Sequence, residues 1–313
     1  MTHAIDTFTK IKQFIMFKVK DFSSFRKQYT TEYDCFSYLC DLKWSKGYSC
    51  AQCGCKEYVK GRKQLHRRCQ SCSFNESPTS GTLFHKLKID AVKAFEICYL
   101  LTHTKKAMSS CELSRQYGIS LKATLYLRER IRNAMKSSMK FPLDGKVEID
   151  EFVVGGHEEG KQGRSDGLKK KAIIGVETRG SSTKGYHFGR VYIEMIEDFS
   201  TQSFTPFFET HIAKTAKIMT DKWSSYNPLK KEFDIEQEKS NKGKNFKHIH
   251  TMIMSFKSWL RGLHHKCNKK FFQGYLNEFC YKFNRRHIMD RMVFNLFERI
   301  VIAKPLYIQV IEN

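Results

Sequence analysis

Two aspartates stand where carboxylates can do chemistry. Asp150 closes an alternating run, Lys146-Val147-Glu148-Ile149-Asp150, and Glu151 follows it. Asp221 closes a second short run, Lys217-Ile218-Met219-Thr220, 71 positions further on. Carboxylates at neighbouring strand ends can hold one or two Mg²⁺ ions, because hard oxygen ligands suit that ion. Two such ions would activate an attacking oxygen and stabilise a leaving one in phosphoryl transfer. Either aspartate alone could equally be a loop cap or a solvated strand end.

A different chemistry is written in the cysteines. Cys50-Ala51-Gln52-Cys53 and Cys69-Gln70-Ser71-Cys72 are two CxxC knuckles with 15 residues between them. Each knuckle offers two thiolates from one tight turn, and two knuckles complete a tetrahedral zinc shell. Cys50, Cys53, Cys69 and Cys72 are therefore expected to bind structural zinc, with Cys55 and His66 as possible substitutes. A closed shell leaves no position for a substrate. The hairpin between the knuckles carries Lys56, Lys60, Arg62, Lys63, Arg67 and Arg68 against Glu57 alone. Arg62 and Lys63 are its candidates for phosphate contact; a solvated hairpin surface is the plainer reading.

Further on, Ser109 or Ser110 can cap a short helix with Leu113 on its apolar face. Gly118 suits a turn, and Ser120 caps a second helix running through Tyr126, Arg128, Arg130 and Arg132. That layout fits a helix-turn-helix whose second member enters the major groove. Lys122, Ala123, Tyr126 and Arg130 would then lie near the bases. An ordinary three-helix packing unit is the alternative. The stretch from Gly155 to Lys161 imitates a phosphate-binding P-loop, but Gln162 stands where Ser or Thr should hold Mg²⁺. An ATPase is disfavoured.

The elements that must position these groups follow from pattern. Residues 1–43 read as a helical segment, 44–88 as a zinc ribbon and 89–140 as helical DNA-binding structure. Phe141-Pro142-Leu143-Asp144-Gly145 breaks the chain with turn signals. Beyond it, strand-like runs at Ala172–Glu177 and Gly189–Ile196 precede a helix opened at Ser200 and reaching about Lys214. A basic helical region runs from Lys247 to Arg286. Strands first, then strands mixed with helices, argue for an α/β domain over about 145–290, with 291–313 as a tail.

Composition sets the outer limits. The 313 residues carry 55 Lys plus Arg against 32 Asp plus Glu, a formal charge of +23. At 41% hydrophobic and 13% aromatic the chain is too apolar for a disordered polycation. It can bury a core and present a positive field, for which nucleic acid is the default partner. No apolar run is long enough to span a bilayer, so no membrane role is expected. The first residues lack the pattern of a signal peptide. Eleven cysteines, an odd number, fit a reducing compartment with metal ligands and free thiols.

Four blocks in order carry a family resemblance. They are Val147-Glu148-Ile149-Asp150-Glu151-Phe152-Val153-Val154-Gly155-Gly156, Thr220-Asp221-Lys222-Trp223-Ser224-Ser225-Tyr226, His250 through Gly262, and Tyr275 through Arg286. Over about residues 30–290 the chain resembles the transposases of bacterial insertion sequences, in the zinc-ribbon branch related to Merlin transposons. These have a DDE-type, ribonuclease-H-like catalytic core. The resemblance implies an α/β fold in which a mixed sheet flanked by helices follows a zinc ribbon and a helix-turn-helix. It implies that Asp150 and Asp221 are the first two ligands of catalytic Mg²⁺ or Mn²⁺.

The third ligand departs from the usual Asp-Asp-Glu set. His250 lies seven residues before Lys257, where many relatives carry Glu, and the branch resembles one in which Asn or His takes that place. Seven residues are about two helical turns, so His250 and Lys257 share a face. His250 could bind metal or orient water; Lys257 could hold a phosphate. Glu278 or Glu151 could supply the carboxylate instead.

Smaller expectations complete the reading. His248 should face the surface, and His264 and His265 could bind phosphate. Trp223, Tyr226, Trp259 and Phe279 should be core aromatics. Arg285 and Arg286 could touch DNA backbone, and Lys161 to Lys171 could form a basic loop near Asp150.

The function implied is a divalent-metal-dependent DNA transposase. It would bind the terminal inverted repeats of its own element, cleave 3′ ends and transfer strands into target DNA. A homodimer or higher oligomer on DNA follows from the need to hold two ends. Its place would be the bacterial cytoplasm, on the nucleoid. The rival is a catalytically inactive, transposase-derived DNA-binding protein, for which His250 in place of Glu is the main support. A junction or repair nuclease on the same fold is a further alternative.

Overall fold

Backbone pairing explains why the two aspartates can meet. In the computed structural model, which describes residues 21–105, 108–156, 169–181, 185–241, 244–262 and 267–307, the chain forms two compact units. One runs through Ala134 and resumes at His287; the other is Met135–Arg286. No described helix is long and apolar enough to cross a membrane.

The first unit starts with helices α1 (Phe22–Gln28) and α2 (Glu32–Lys43), α2 opening in a capping box made by Thr31 and Asp34. A three-stranded antiparallel sheet follows, β1 (Tyr58–Lys60), β2 (Arg67–Cys69) and β3 (Asn75–Glu76). Helices α3 (Ala91–His103), α4 (Ser110–Tyr117) and α5 (Leu121–Ala134) come next. Ser109 Oγ accepts from the Glu112 amide at 3.0 Å, and Gly118 ends α4 in the left-handed region at φ 60°. Ser120 Oγ then accepts from the Ala123 amide at 3.2 Å. Leu113 is fully buried between the two helices, as a helix-turn-helix layout requires.

The segment read as a tail begins instead with helix α9 (Met289–Ile302), which packs on α2, α3 and α5. Phe297 stacks on Phe95 at 4.2 Å between ring centroids, and Tyr38 meets Phe294 and Phe297 edge-on. Residues 1–20 and 308–313 lie outside the described residues.

The second unit is a five-stranded mixed sheet in the order β6-β5-β4-β7-β8. Its members are β4 (Lys146–Val154), β5 (Lys170–Ser181), β6 (Gly185–Ile196), β7 (Lys217–Thr220) and β8 (Asp234–Gln237). β4, β5 and β6 are antiparallel; β7 and β8 run parallel to β4. The strands outrun their sequence estimates, and β8 has no clear sequence signal because its run Asp-Ile-Glu-Gln is polar.

Side chains alternate across this sheet and build two cores. Phe152, Ile174, Val191 and Ile193 face helices α7 (Lys247–Arg261) and α8 (Lys269–Asn284). Val147, Ile149, Ile173 and Ile218 face helix α6 (Thr201–His211). Helix α6 stops at His211, short of the Lys214 expected, because Ile212 turns extended and pairs beside Leu143. The imitation P-loop beyond Gly156, most of the Lys161 to Lys171 run and the His264-His265 pair lie outside the described residues.

Candidate active site and metal centres

The carboxylate site is set by register. β4 and β7 pair as Lys146 with Lys217, Val147 with Ile218 and Glu148 with Met219. Two more steps along both strands bring Asp150 level with Asp221, since 148 + 2 = 150 and 219 + 2 = 221. The 71-residue offset in the sequence is thus the offset of the ladder itself. β7 ends at Thr220, so Asp221 leaves the sheet beside Asp150, and its carboxylate accepts from the Trp223 amide at 3.0 Å.

Glu151 joins them. One oxygen from each of Asp150, Glu151 and Asp221 lies within 4.8 Å of the others. Glu151 is buried, and its Oε2 accepts from the Tyr226 hydroxyl at 2.6 Å. Burial first, then the Glu151 charge, raises Tyr226 well above the usual phenol range, so its hydroxyl stays a donor. Three carboxylates gathered this closely, one of them buried, fit a divalent cation with hard oxygen preference.

His250 approaches from α7. Its Nε2 stands 3.9 Å from Asp150 Oδ2, too far for a hydrogen bond, and His250 is not a member of the group formed by Asp150, Glu151 and Asp221. Lys257 lies two turns further along α7 with its ammonium 5.5 Å from the Phe152 ring centroid. Burial, then Arg261, pushes Lys257 below the usual lysine range, while Asp150 pulls it back. Glu278 is fully buried on α8 and is not a member of the carboxylate group. His248, expected at the surface, instead meets Glu148 Oε1 at 2.8 Å through Nδ1.

The thiol site is equally compact. Cys50, Cys53, Cys69 and Cys72 place their sulfurs within 4.8 Å of one another. Cys50 and Cys72 are 3.6 Å apart, and Cys53 and Cys69 are 3.5 Å apart. Tetrahedral zinc with bonds near 2.3 Å separates its sulfurs by about 3.8 Å, so the cage fits that ion. Burial opposes ionisation of Cys50, but the amides of Cys53 and Gln52 outweigh it and bring that thiol down to about 6. The Cys72 amide lowers Cys69. Cys55 and His66 are not members of the cage; His66 Nδ1 pairs with Asn75 Nδ2 at 2.9 Å.

The basic residues divide into free and occupied. Arg62 and Lys63 are exposed at the hairpin tip, and Lys122 is exposed at the start of α5. Ala123 and Tyr126 are half-buried. Arg130 donates to the His85 carbonyl at 3.0 Å, and burial lowers it below the usual guanidinium range. Arg128 is buried and donates to Ser110 Oγ at 3.0 Å. Arg286 bonds the carbonyls of Phe188 and Gly189, and Arg285 lies 3.9 Å over the Tyr281 ring. Of the four aromatics expected in cores, Tyr226 and Phe279 are buried, and Trp223 and Trp259 pack partly buried against them.

A mixed sheet ordered this way, with Asp150 inside β4 and Asp221 just past the end of the parallel strand β7, defines a ribonuclease-H-like α/β domain. Residues 142–284 match the family of ISXO2-like transposase domains, a stretch that nearly fills the second unit. That unit is therefore similar to the transposase domains of the DDE type found in insertion sequences. No protein of curated function matches the chain.

Proposed function

We propose that this chain is a DNA transposase that binds the terminal inverted repeats of its own element, cleaves at their 3′ ends and joins them to target DNA. The supporting observation is the β4–β7 register, which sets Asp150 and Asp221 side by side with Glu151 in reach. Asp150, Asp221 and Glu151 would hold Mg²⁺ or Mn²⁺, with His250 as a neutral ligand or water-orienting group. A divalent ion there supplies positive charge to the attacked phosphate and its entering and leaving oxygens. Lys257 would pair with a phosphate of the bound strand, a role its ammonium beside Asp150 suits.

Zinc in the Cys50, Cys53, Cys69 and Cys72 cage would hold the ribbon, whose exposed Arg62 and Lys63 would meet the DNA backbone. Lys122, Ala123 and Tyr126 would read the repeat from the start of α5. Arg130, held on a carbonyl, would instead stiffen that helix. Two ends must be joined in concert, so the active species would be a dimer or larger on DNA. The setting that fits is a bacterial cytoplasm, on the nucleoid.

Strand transfer from a pre-cleaved duplex of the element's terminal repeat tests this reading. Wild type should give joined products with Mg²⁺ or Mn²⁺, Asp150→Ala should give none, and His250→Ala should give them at a strongly reduced but measurable rate. Joining that keeps the wild-type rate in His250→Ala but is lost in Asp150→Ala would leave the third role to Glu151 alone. Tight repeat binding with no product under either ion would instead establish the inactive DNA-binding reading.

A further inference from the structure

Helix α7 begins without a cap of its own. Phe246 holds the N-cap position and makes no side-chain hydrogen bond there. The first amides of a helix need acceptors, and a carboxylate is the best complement to that positive end. Glu148 of β4 supplies it from another element. Its Oε2 accepts from the Ile249 amide at 2.9 Å while Oε1 meets His248 Nδ1 at 2.8 Å.

One carboxylate thus clamps the first turn of α7 to β4 through two bonds. Phe188 packs edge-on against the His248 ring at 5.8 Å and limits its swing. Two residues further along the same face of the strand stands Asp150, and two residues further along the helix stands His250. These two face each other at 3.9 Å. The clamp and the catalytic contact are therefore consecutive contacts between the same pair of elements. Helix α7 cannot shift along β4 without breaking the first and opening the second.

We propose that Glu148 is a positioning residue for the transposase site, fixing the start of α7 so that His250 stays against Asp150. The inference rests on the reading of His250 as a working member of that site. It assigns no proton or metal to Glu148; its two oxygens are already taken by α7. Burying a carboxylate on a strand has a desolvation cost, and placing it there is explained by what it fixes.

The measurement is a double-mutant cycle on single-turnover strand transfer, with saturating pre-cleaved repeat duplex and Mn²⁺. Glu148→Ala should slow joining by about tenfold to a hundredfold, the usual effect of a small misplacement, with DNA affinity unchanged. Glu148→Gln keeps an acceptor for Ile249 and a partner for His248, and should stay within about threefold of wild type. The deciding variant is Glu148→Ala combined with His250→Ala, which should be no slower than His250→Ala alone.

Losses that multiply in the double variant would show that Glu148 acts elsewhere and overturn the proposal. So would full activity in Glu148→Ala when His250→Ala is impaired, and the reading of His250 would then survive. If His250→Ala is itself unimpaired, that reading falls and takes this proposal with it. A cavity of about 440 Å³, lined in part by Glu148, His248, Lys146 and Lys217, lets water replace the lost carboxylate, so Glu148→Ala should fold. Should it fail to fold, His248→Ala at the more exposed end of the clamp replaces it in the same cycle.

Discussion

Lys257 is expected to cost stability before any DNA arrives. Half-buried and close to Arg261, it is held below the usual lysine range, so the folded state resists its charge. The sign follows from linkage. Between the folded and ordinary lysine values the unfolded chain binds more protons, so stability climbs with pH across that window. Below it the full cost is present; above the ordinary lysine value it is gone. Lys257→Met should therefore raise the melting temperature of the DNA-free protein at neutral pH by about 1–3 °C, and this gain should fade toward pH 10. The same variant should lose strand transfer, in keeping with the phosphate role proposed. A lowered melting temperature at neutral pH would show that the ammonium is stabilising where it stands. At this scale the sequence was uneven. Asp150 and Asp221 were legible from type and from the strand runs beside them, although β4 continues past Asp150 to Val154, and the offset between them proved to be the ladder. Glu151 was legible only as one alternative third carboxylate beside Glu278, because its value depends on Tyr226 closing over it from 75 positions away. His248 was misread because its partner Glu148 belongs to a strand whose register no local pattern discloses.

Elements this small expose what holds them. The ribbon's strands have three, three and two residues, too short for a sheet to be stable alone. Its apolar support is slight: Cys40, Trp44, Tyr48, Cys50 and Cys69 form its buried cluster. The Arg67 guanidinium is sandwiched at 4.1 Å from the Trp44 ring centroid and 4.2 Å from that of Tyr58. Such contacts contribute about 0.5–2 kcal/mol each, well short of the roughly 10 kcal/mol or more that a structural zinc site can supply. The purified chain should carry about one zinc, and chelation should abolish amide exchange protection over residues 48–76. The sheet of Met135–Arg286 should keep its protection under the same treatment. Unchanged protection in the ribbon would mean that packing alone sustains it. The two knuckles were the most legible feature of the sequence, because one short span contains the whole site. The arginines of α5 were less so. Arg128 and Arg132 share the helix stripe of Thr124, Leu127 and Ile131, and that stripe is buried. Arg130 was the arginine expected near DNA, and it is held on the His85 carbonyl.

The whole molecule is discontinuous in sequence. The chain completes α5 at Ala134, builds the transposase domain, and returns at His287 to finish the first unit. Helix α9 buries Met292, Val293, Phe294, Leu296, Phe297 and Ile300. At about 1.5–3 kcal/mol for each buried side chain, that face rivals the net stability of a typical domain. The Leu83 amide also donates to the Ile300 carbonyl at 3.1 Å, so backbone pairing is lost with the helix. A fragment of residues 1–134 should therefore fail to fold, leaving Phe95 and Tyr38 uncovered. The same fragment joined through a flexible Gly/Ser linker to residues 287–313 should fold, with a cooperative melt and dispersed amide resonances. Residues 135–286 should fold by themselves, because both of their cores are made from residues inside those limits. A cooperative melt from residues 1–134 alone would show that α9 only decorates a finished unit. This arrangement also explains why the sequence suggested a tail. Helix α9 has a strongly amphipathic pattern, but only its partners, about 165 to 260 positions earlier, reveal what that face is for.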